Sequence, residues 1–203
     1  MLSCEDFREM TDFYQTRSVE YYEKTFPVDP ASFLSPLADR LAAGTFVLDV
    51  GCGSGRDLLW LKNRGFAVTG FERSAALAEL TRKNAGCEVI EGDFTSYDFS
   101  TIRVDAVILI GALVHVPQAD FAAVLGNIAA ALKADGLILI TVKEGEVRSE
   151  GADGRIFYLY RDHDLRTVFA ALGFAILGFS RDVSKMRTGE IWLRYLLKKG
   201  AAS

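Results

Sequence analysis

The sequence predicts an α/β fold: a seven-stranded, mostly parallel sheet with an antiparallel last strand and helices on both faces. Three observations carry this. From residue 45 onward, short β-branched runs alternate with helical patterns, as consecutive βαβ units do. The run RVDAVILIG (103–111) is apolar almost throughout, as a strand covered on both faces must be. Finally, AILGFSRD (175–182) and IWLRYLLKK (191–199) are joined by a connection too short for a parallel crossover, so they pair antiparallel.

The elements follow in order. TFVLDV (45–50) reads as the first strand, RDLLWLKNRG (56–65) as a helix stopped by Gly65, and FAVTGF (66–71) as the second strand. SAALAELTRKNAG (74–86) is a helix with Ser74 as N-cap and Gly86 as its stop. CEVIEGD (87–93) is a shorter third strand and 103–111 the fourth. QADFAAVLGNIAAALKADG (118–136) reads as one long helix running into LILITVKEG (137–145), the fifth strand, and RDHDLRTVFAALGF (161–174) is a helix before the terminal hairpin. Ahead of the first strand, DPASFLSPLADRLAAG (29–44) is an amphipathic helix that Pro30 opens. With no repeat, low-complexity tract or linker, residues 1–203 read as a single domain, with 1–44 as an N-terminal helical extension or lid.

Composition narrows the function. In 203 residues, 50% are hydrophobic and 25% charged, ordinary for one globular core. The apolar runs fall short of the roughly 20 residues that span a bilayer, and MLSCEDFREM carries acids where a signal peptide carries bases, so a cytoplasmic protein without a membrane partner is expected. A net charge of −4 offers no footprint for a polyanion, so nucleic acid is not expected as a partner. Cys4, Cys52 and Cys87 fit neither a disulfide framework nor a metal site.

The chemistry concentrates at VLDVGCGSGRD (47–57), a strand-to-helix junction where open α/β proteins bind ligands. It is not a Walker loop, because Arg56 and Asp57 follow the last glycine where Lys and Ser or Thr are needed. Nor is it the dinucleotide fingerprint, whose third glycine would stand at 56 rather than at Gly55. Asp49, two residues before Gly51, would repel a pyrophosphate but suits a cation, while the loop N–H groups suit a carboxylate. An amino-acid group satisfies both. Glu72 at the end of the second strand is placed to accept ribose hydroxyls, and Asp93 beside Phe94 ends the third strand, where an acid can accept from an exocyclic amine and a ring can pack on a purine. An amino-acid tail, a ribose and an adenine without phosphate describe S-adenosylmethionine.

On these residues the chain resembles the class I S-adenosylmethionine-dependent methyltransferases, a Rossmann-like family. VLDVGCGSG (47–55) is similar to its first motif, GFERS (70–74) to its acidic ribose motif and EGDF (91–94) to its adenine motif. VDAVILIGALVHVP (104–117) and LKADGLILIT (132–141) are similar to its fourth and fifth strands, with Asp135-Gly136 where Pro-Gly is usual. GSGRD also resembles loops of its small-molecule branch. The resemblance implies that Asp49, Gly51, Cys52, Gly53 and Gly55 lie at the methionine end, Glu72 and Arg73 at the ribose, Asp93 and Phe94 at the adenine, and Ile110 near the middle of the cofactor. Arg56 is bulky for its place, and the assigned role of the loop does not explain it.

His115, just past the fourth strand, either takes a proton from an acceptor or holds its loop through a backbone hydrogen bond. TDFYQTRSVEYYEKTF (11–26) carries Tyr14, Tyr21 and Tyr22 at near-helical spacing, as a lid over the ligand or as a packed aromatic stripe; Tyr14 and Tyr22 are the candidate substrate residues. In GRIFYLYRDHD (154–164), Tyr158 and Arg161 are candidates among Arg155, Tyr158, Tyr160 and Arg161, which either recognise an anion or cover the sheet. His163 among its charged neighbours is expected to face solvent. The expected activity is methyl transfer to an O, N or S atom of a small molecule. A non-catalytic S-adenosylmethionine sensor, or a nicotinamide-dependent oxidoreductase, are the alternatives. No metal is expected.

Overall fold

A computed structural model describes residues 13–186 and 188–200; Cys4 lies outside them. The elements are α1 (Ser18–Thr25), α2 (Ala31–Ala38), β1 (Phe46–Val50), α3 (Arg56–Lys62), β2 (Ala67–Glu72), α4 (Ala75–Ala85), β3 (Glu88–Glu91), β4 (Val104–Ile110), α5 (Gln118–Ala129), β5 (Leu132–Lys143), β6 (Arg148–Glu150), β7 (Ile156–Tyr158), α6 (Asp162–Ala171), β8 (Phe174–Val183) and β9 (Ile191–Lys199). Seven strands form one sheet in the order β3-β2-β1-β4-β5-β9-β8. The first five strands are parallel, and β9 runs antiparallel to both β5 and β8.

Strand parity explains why the central runs are apolar at every position. Side chains alternate across a strand, so a sheet covered twice needs apolar residues on both registers. Val47, Ile108, Leu139 and Leu196 share the face packed by Leu34 and Leu37 of α2 and Leu61 of α3. Leu48, Val107, Ile138 and Leu197 share the other, against Phe121, Leu125 and Ile128 of α5 and Phe169 of α6. The chain leaves β1 toward β2 and β3 on one side and returns to β4 and β5 on the other. That reversal opens a crevice beyond the carboxyl ends of β1 and β4.

Local signals set the ends of α4 as expected: Ser74 Oγ accepts from Leu77 N–H at 3.2 Å, and Gly86 sits at φ +59°. The long helix expected over 118–136 is shorter. It stops at Ala129, and the chain enters β5 already at Leu132, opposite Val104. Ala-rich AALKA reads as helix by propensity, but pairing with β4 overrides it, and the strand takes up the excess in an irregularity where Asp135 adopts φ +59°. The N-terminal helix expected over 29–44 is confined to α2, with Pro30 before its first residue. The two-stranded β6–β7 ribbon, inside the segment after β5, has no counterpart in the sequence reading. Among the described residues, no helix is long and apolar enough to cross a membrane.

Candidate functional site

The glycine loop occupies the crevice. Gly51 and Cys52 both donate to the Phe71 carbonyl, at 2.8 and 3.1 Å, which turns the chain away from β1. Gly51 lies at φ +76°, and a Cβ there would sit 2.7 Å from Ala112 Cβ. Gly55 lies at φ +75°, and its Cβ would sit 2.8 Å from Thr81 Cγ2, whose Oγ1 donates to the Gly53 carbonyl at 2.9 Å. Both positions therefore need glycine for backbone conformation and for clearance. We expect Gly55→Ala to cost about 2 kcal/mol or more of unfolding free energy, from strain plus overpacking. Urea denaturation checks this; an unchanged midpoint would show that α4 gives way freely.

The cleft beside the loop holds about 760 Å³ including its open mouth. Glu72, Arg73, Asp93 and Phe94 line it together with Gly51, Gly53, Ile110, Tyr14, Tyr21 and His115, whereas Asp49 and Gly55 are not among its lining residues.

Asp49 is the least ordinary group here. Its side chain is 2% exposed, and Oδ2 has no hydrogen-bond partner among the described residues. Burial, reinforced by the nearby carboxylates of Asp57 and Glu72, pushes its carboxyl well above the usual range, against the pull of Arg56. A buried acid with an orphaned oxygen lacks a cation or donor.

Arg56 now has a function. Its guanidinium binds Asp57 through Nε at 2.7 Å and Nη2 at 2.9 Å, donates from Nη1 to the Thr25 carbonyl at 3.5 Å, and lies 5.0 Å from the centre of the Phe33 ring. It joins the glycine loop to α1 and α2.

Glu72 is 8% exposed and already bonded by backbone: Oε2 accepts from Gly53 N–H, and Oε1 accepts from Arg73 N–H and Ser74 N–H, each at 2.9 Å. Burial raises its pKa, and these three donors limit the rise. A carboxylate offers about four acceptor sites, so Glu72 both organises the loop and keeps capacity for a ligand hydroxyl. Asp93 Oδ1 accepts from Thr95 N–H and Oγ1, at 2.9 and 2.7 Å, while Arg73 Nε lies 3.5 Å from Oδ2.

Also on the cleft wall, His115 Nδ1 meets the Ile156 carbonyl at 2.7 Å and Nε2 meets Tyr14 Oη at 2.8 Å. A carbonyl only accepts, so Nδ1 carries the hydrogen and Nε2 accepts from the phenol. Burial, the main cause, lowers the His115 pKa to about 4, aided by the positive charges of Arg155 and Lys143. Arg155 Nη1 donates to Tyr14 Oη at 3.0 Å, and its Nε and Nη2 bind Asp153 Oδ2 at 3.1 and 2.8 Å. Burial raises the Tyr14 pKa despite Arg155. Gln15 Oε1 accepts from Ser74 Oγ and Ala76 N–H, at 3.1 and 3.2 Å, pinning the same segment to the start of α4.

The remaining candidates divide. Cys52 is buried against Leu58 and Val89 and does not line the cleft. Tyr22 stacks on Phe26 with centroids 4.6 Å apart; its neighbour Tyr21 faces the cleft instead and packs over Gly53. Arg161 pairs with exposed Glu146, Tyr158 packs against the main core, and His163 faces solvent. Sequence reading missed Lys143, which is 5% exposed, pairs with Glu190 and lies 3.3 Å from the centre of the Phe157 ring. A lysine ending the apolar run LILITVK was the available signal.

Residues 47–136 match the family model described as methyltransferase domain. An uncharacterized methyltransferase of Oceanobacillus iheyensis is 26% identical over 136 residues, 66% of this chain and 62% of that protein, so the match spans less than two thirds of the relative's length. Among solved structures, magnesium protoporphyrin IX methyltransferase from Synechocystis PCC 6803 with bound S-adenosylhomocysteine superposes with a TM-score of 0.77, at 14% identity, covering 96% of this chain and 100% of that one. Burkholderia thailandensis 1,6-didemethyltoxoflavin-N1-methyltransferase, with S-adenosylhomocysteine and 1,6-didemethyltoxoflavin, gives 0.72 at 21% identity, covering 96% and 87%.

Proposed function

We propose, from the premise that this chain has the class I S-adenosylmethionine-dependent methyltransferase fold with a methyltransferase-domain segment at residues 47–136, that it transfers a methyl group from S-adenosylmethionine to an O, N or S atom of a small molecule. The observation that carries this is the buried, unpartnered Asp49 oxygen near the end of β1, just before the glycine loop. A buried carboxylate short of a partner suits an ammonium and repels a phosphate. The bound ligands of the Synechocystis and Burkholderia enzymes support the same cofactor.

When bound, the cofactor supplies a methyl group on a cationic sulfur, which an in-line nucleophile takes as the carbon–sulfur electron pair returns to sulfur. The chain supplies the rest. Asp49 and the glycine loop would lie at the methionine end, with Asp49 facing the ammonium, Glu72 at a ribose hydroxyl, Asp93 and Phe94 at the adenine, and Ile110 at the middle. The described part of the 1–44 extension, from Phe13 onward, acts as a lid belonging to the same domain, with the half-buried Tyr14 and Tyr21 lining the cleft. His115 is too weak a base for proton removal at neutral pH, and its Nε2 is engaged by Tyr14, so it serves as a fixed acceptor within the wall. Positioning of donor and acceptor then provides the rate. A net charge of −4 supports a small-molecule acceptor over nucleic acid.

Titration calorimetry with S-adenosylmethionine, S-adenosylhomocysteine and NADH tests this. Both adenosyl ligands bind and NADH does not; the reverse pattern sinks the proposal. Release of S-adenosylhomocysteine across a panel of acceptors separates an enzyme from a sensor, which would bind the cofactor and never turn it over.

A further inference from the structure

The acceptor end of the cleft has a fixed hydrogen-bond polarity. The Ile156 carbonyl can only accept and the Arg155 guanidinium can only donate. Between them, His115 Nδ1–H donates to Ile156, Tyr14 O–H donates to His115 Nε2, and Arg155 Nη1–H donates to Tyr14 Oη. Each hydrogen in this chain is assigned. If Tyr14 turned its hydrogen into the cleft, it would leave the part-buried Nε2 lone pair unsatisfied. What Tyr14 can offer a ligand is therefore an oxygen lone pair and not a hydrogen. Arg155 is held for its part by Asp153, which fixes the direction from which Tyr14 is approached.

Rings cluster around Tyr14; Tyr21 and His115 line the cleft with it, and Phe13 and Phe157 pack against this wall without lining it. Phe13 and Tyr14 pack edge to face at 5.3 Å, Tyr14 and Tyr21 at 5.2 Å, Tyr14 and His115 at 5.7 Å, and His115 lies 5.1 Å from Phe157. Such a cluster gains most from a flat partner that can stack or meet it edge-on.

We propose that the acceptor is an aromatic or heteroaromatic hydroxyl or amine, and that Tyr14 Oη selects it by accepting the hydrogen on its nucleophilic oxygen or nitrogen. This rests on the methyltransferase reading above. Arg155 and His115 are positioning residues in this arrangement, since they act through Tyr14. One consequence bears on release. As the oxygen–carbon bond forms and the carbon–sulfur bond breaks, the hydroxyl proton passes to solvent at the open mouth of the cleft, so the product lacks the hydrogen that Tyr14 reads and loses a contact that the substrate had.

The test uses the full chain saturated with S-adenosylhomocysteine and two matched pairs of probes, phenol against anisole and aniline against N,N-dimethylaniline, with binding followed by ligand-observed NMR. Phenol and aniline are expected to bind about tenfold more tightly than their capped partners, the scale of one hydrogen bond in a buried site. In Tyr14→Phe, which keeps the ring, the gap narrows to less than about twofold. Equal binding within either pair, no binding by phenol and aniline, or a gap that persists in Tyr14→Phe overturns the proposal. Failure of S-adenosylhomocysteine itself to bind is seen before any ring compound is added, and it overturns the methyltransferase reading and this inference with it.

Discussion

Asp49→Asn is expected to weaken S-adenosylmethionine binding by about 3 to 5 kcal/mol, the cost of removing one partner from a buried ion pair, while relieving the ligand-free protein. The two effects have one origin. Without a cation, the side chain at 2% exposure keeps an oxygen unbonded, and burial raises its pKa well above the ordinary carboxylate value. The folded state then holds a proton that the unfolded state has already released. Stability from this group is complete below the unfolded pKa of roughly 4 and is lost as pH rises through the raised folded value. The unliganded wild-type protein should therefore lose melting temperature with rising pH across that window, and Asp49→Asn should flatten the slope. Cofactor binding, which needs the ionised carboxylate, should release a proton and strengthen over the same interval. Calorimetry in two buffers of different ionisation enthalpy measures the proton. Binding without proton release and without loss in Asp49→Asn would remove this residue from the site.

Glu72→Ala should damage binding and folding together. The carboxylate accepts three backbone N–H bonds, from Gly53, Arg73 and Ser74. Removing it leaves these donors unsatisfied, at about 2 to 4 kcal/mol of unfolding free energy, and deletes a ligand contact to a charged group, about 1 to 3 kcal/mol of affinity. Glu72→Gln separates the two roles. It keeps the shape but turns an amide hydrogen toward a backbone donor, so stability still falls, by less than in the alanine variant. Chemical denaturation and calorimetry on the same preparations give both numbers. If Glu72→Ala folds with wild-type stability, the loop does not depend on this acid.

The sheet was legible because parity and glycine placement are local signals: apolar runs over 45–50, 103–111 and 137–145 correspond to strands, and Gly65 and Gly86 stand at left-handed φ values where helices were expected to stop. The helix over 118–136 was drawn too long, because Leu132–Val104 pairing is non-local while AALKA is helical by itself. Within the site, acids at three strand ends could be found by spacing, since strands place their carboxyl ends side by side. Two of the partners of Arg56 could not, for Thr25 and Phe33 lie more than twenty residues upstream, in α1 and α2. Tyr21 and Tyr22 show a finer limit. Adjacent helical residues point about 100° apart, and nothing in the pattern says which of the two faces a cleft.

Tyr14 meets His115 across 101 residues of chain and Arg155 across 141. Loop-closure entropy makes such contacts expensive until the sheet between them exists. The roof of the cleft is therefore expected to close after the strands beneath it have paired, with the glycine loop shaped before anything covers it. Stabilising interactions formed that late act mainly on the rate of unfolding, so the closed site works as a kinetic clasp between an early segment and a late one, with little influence on how fast the core assembles.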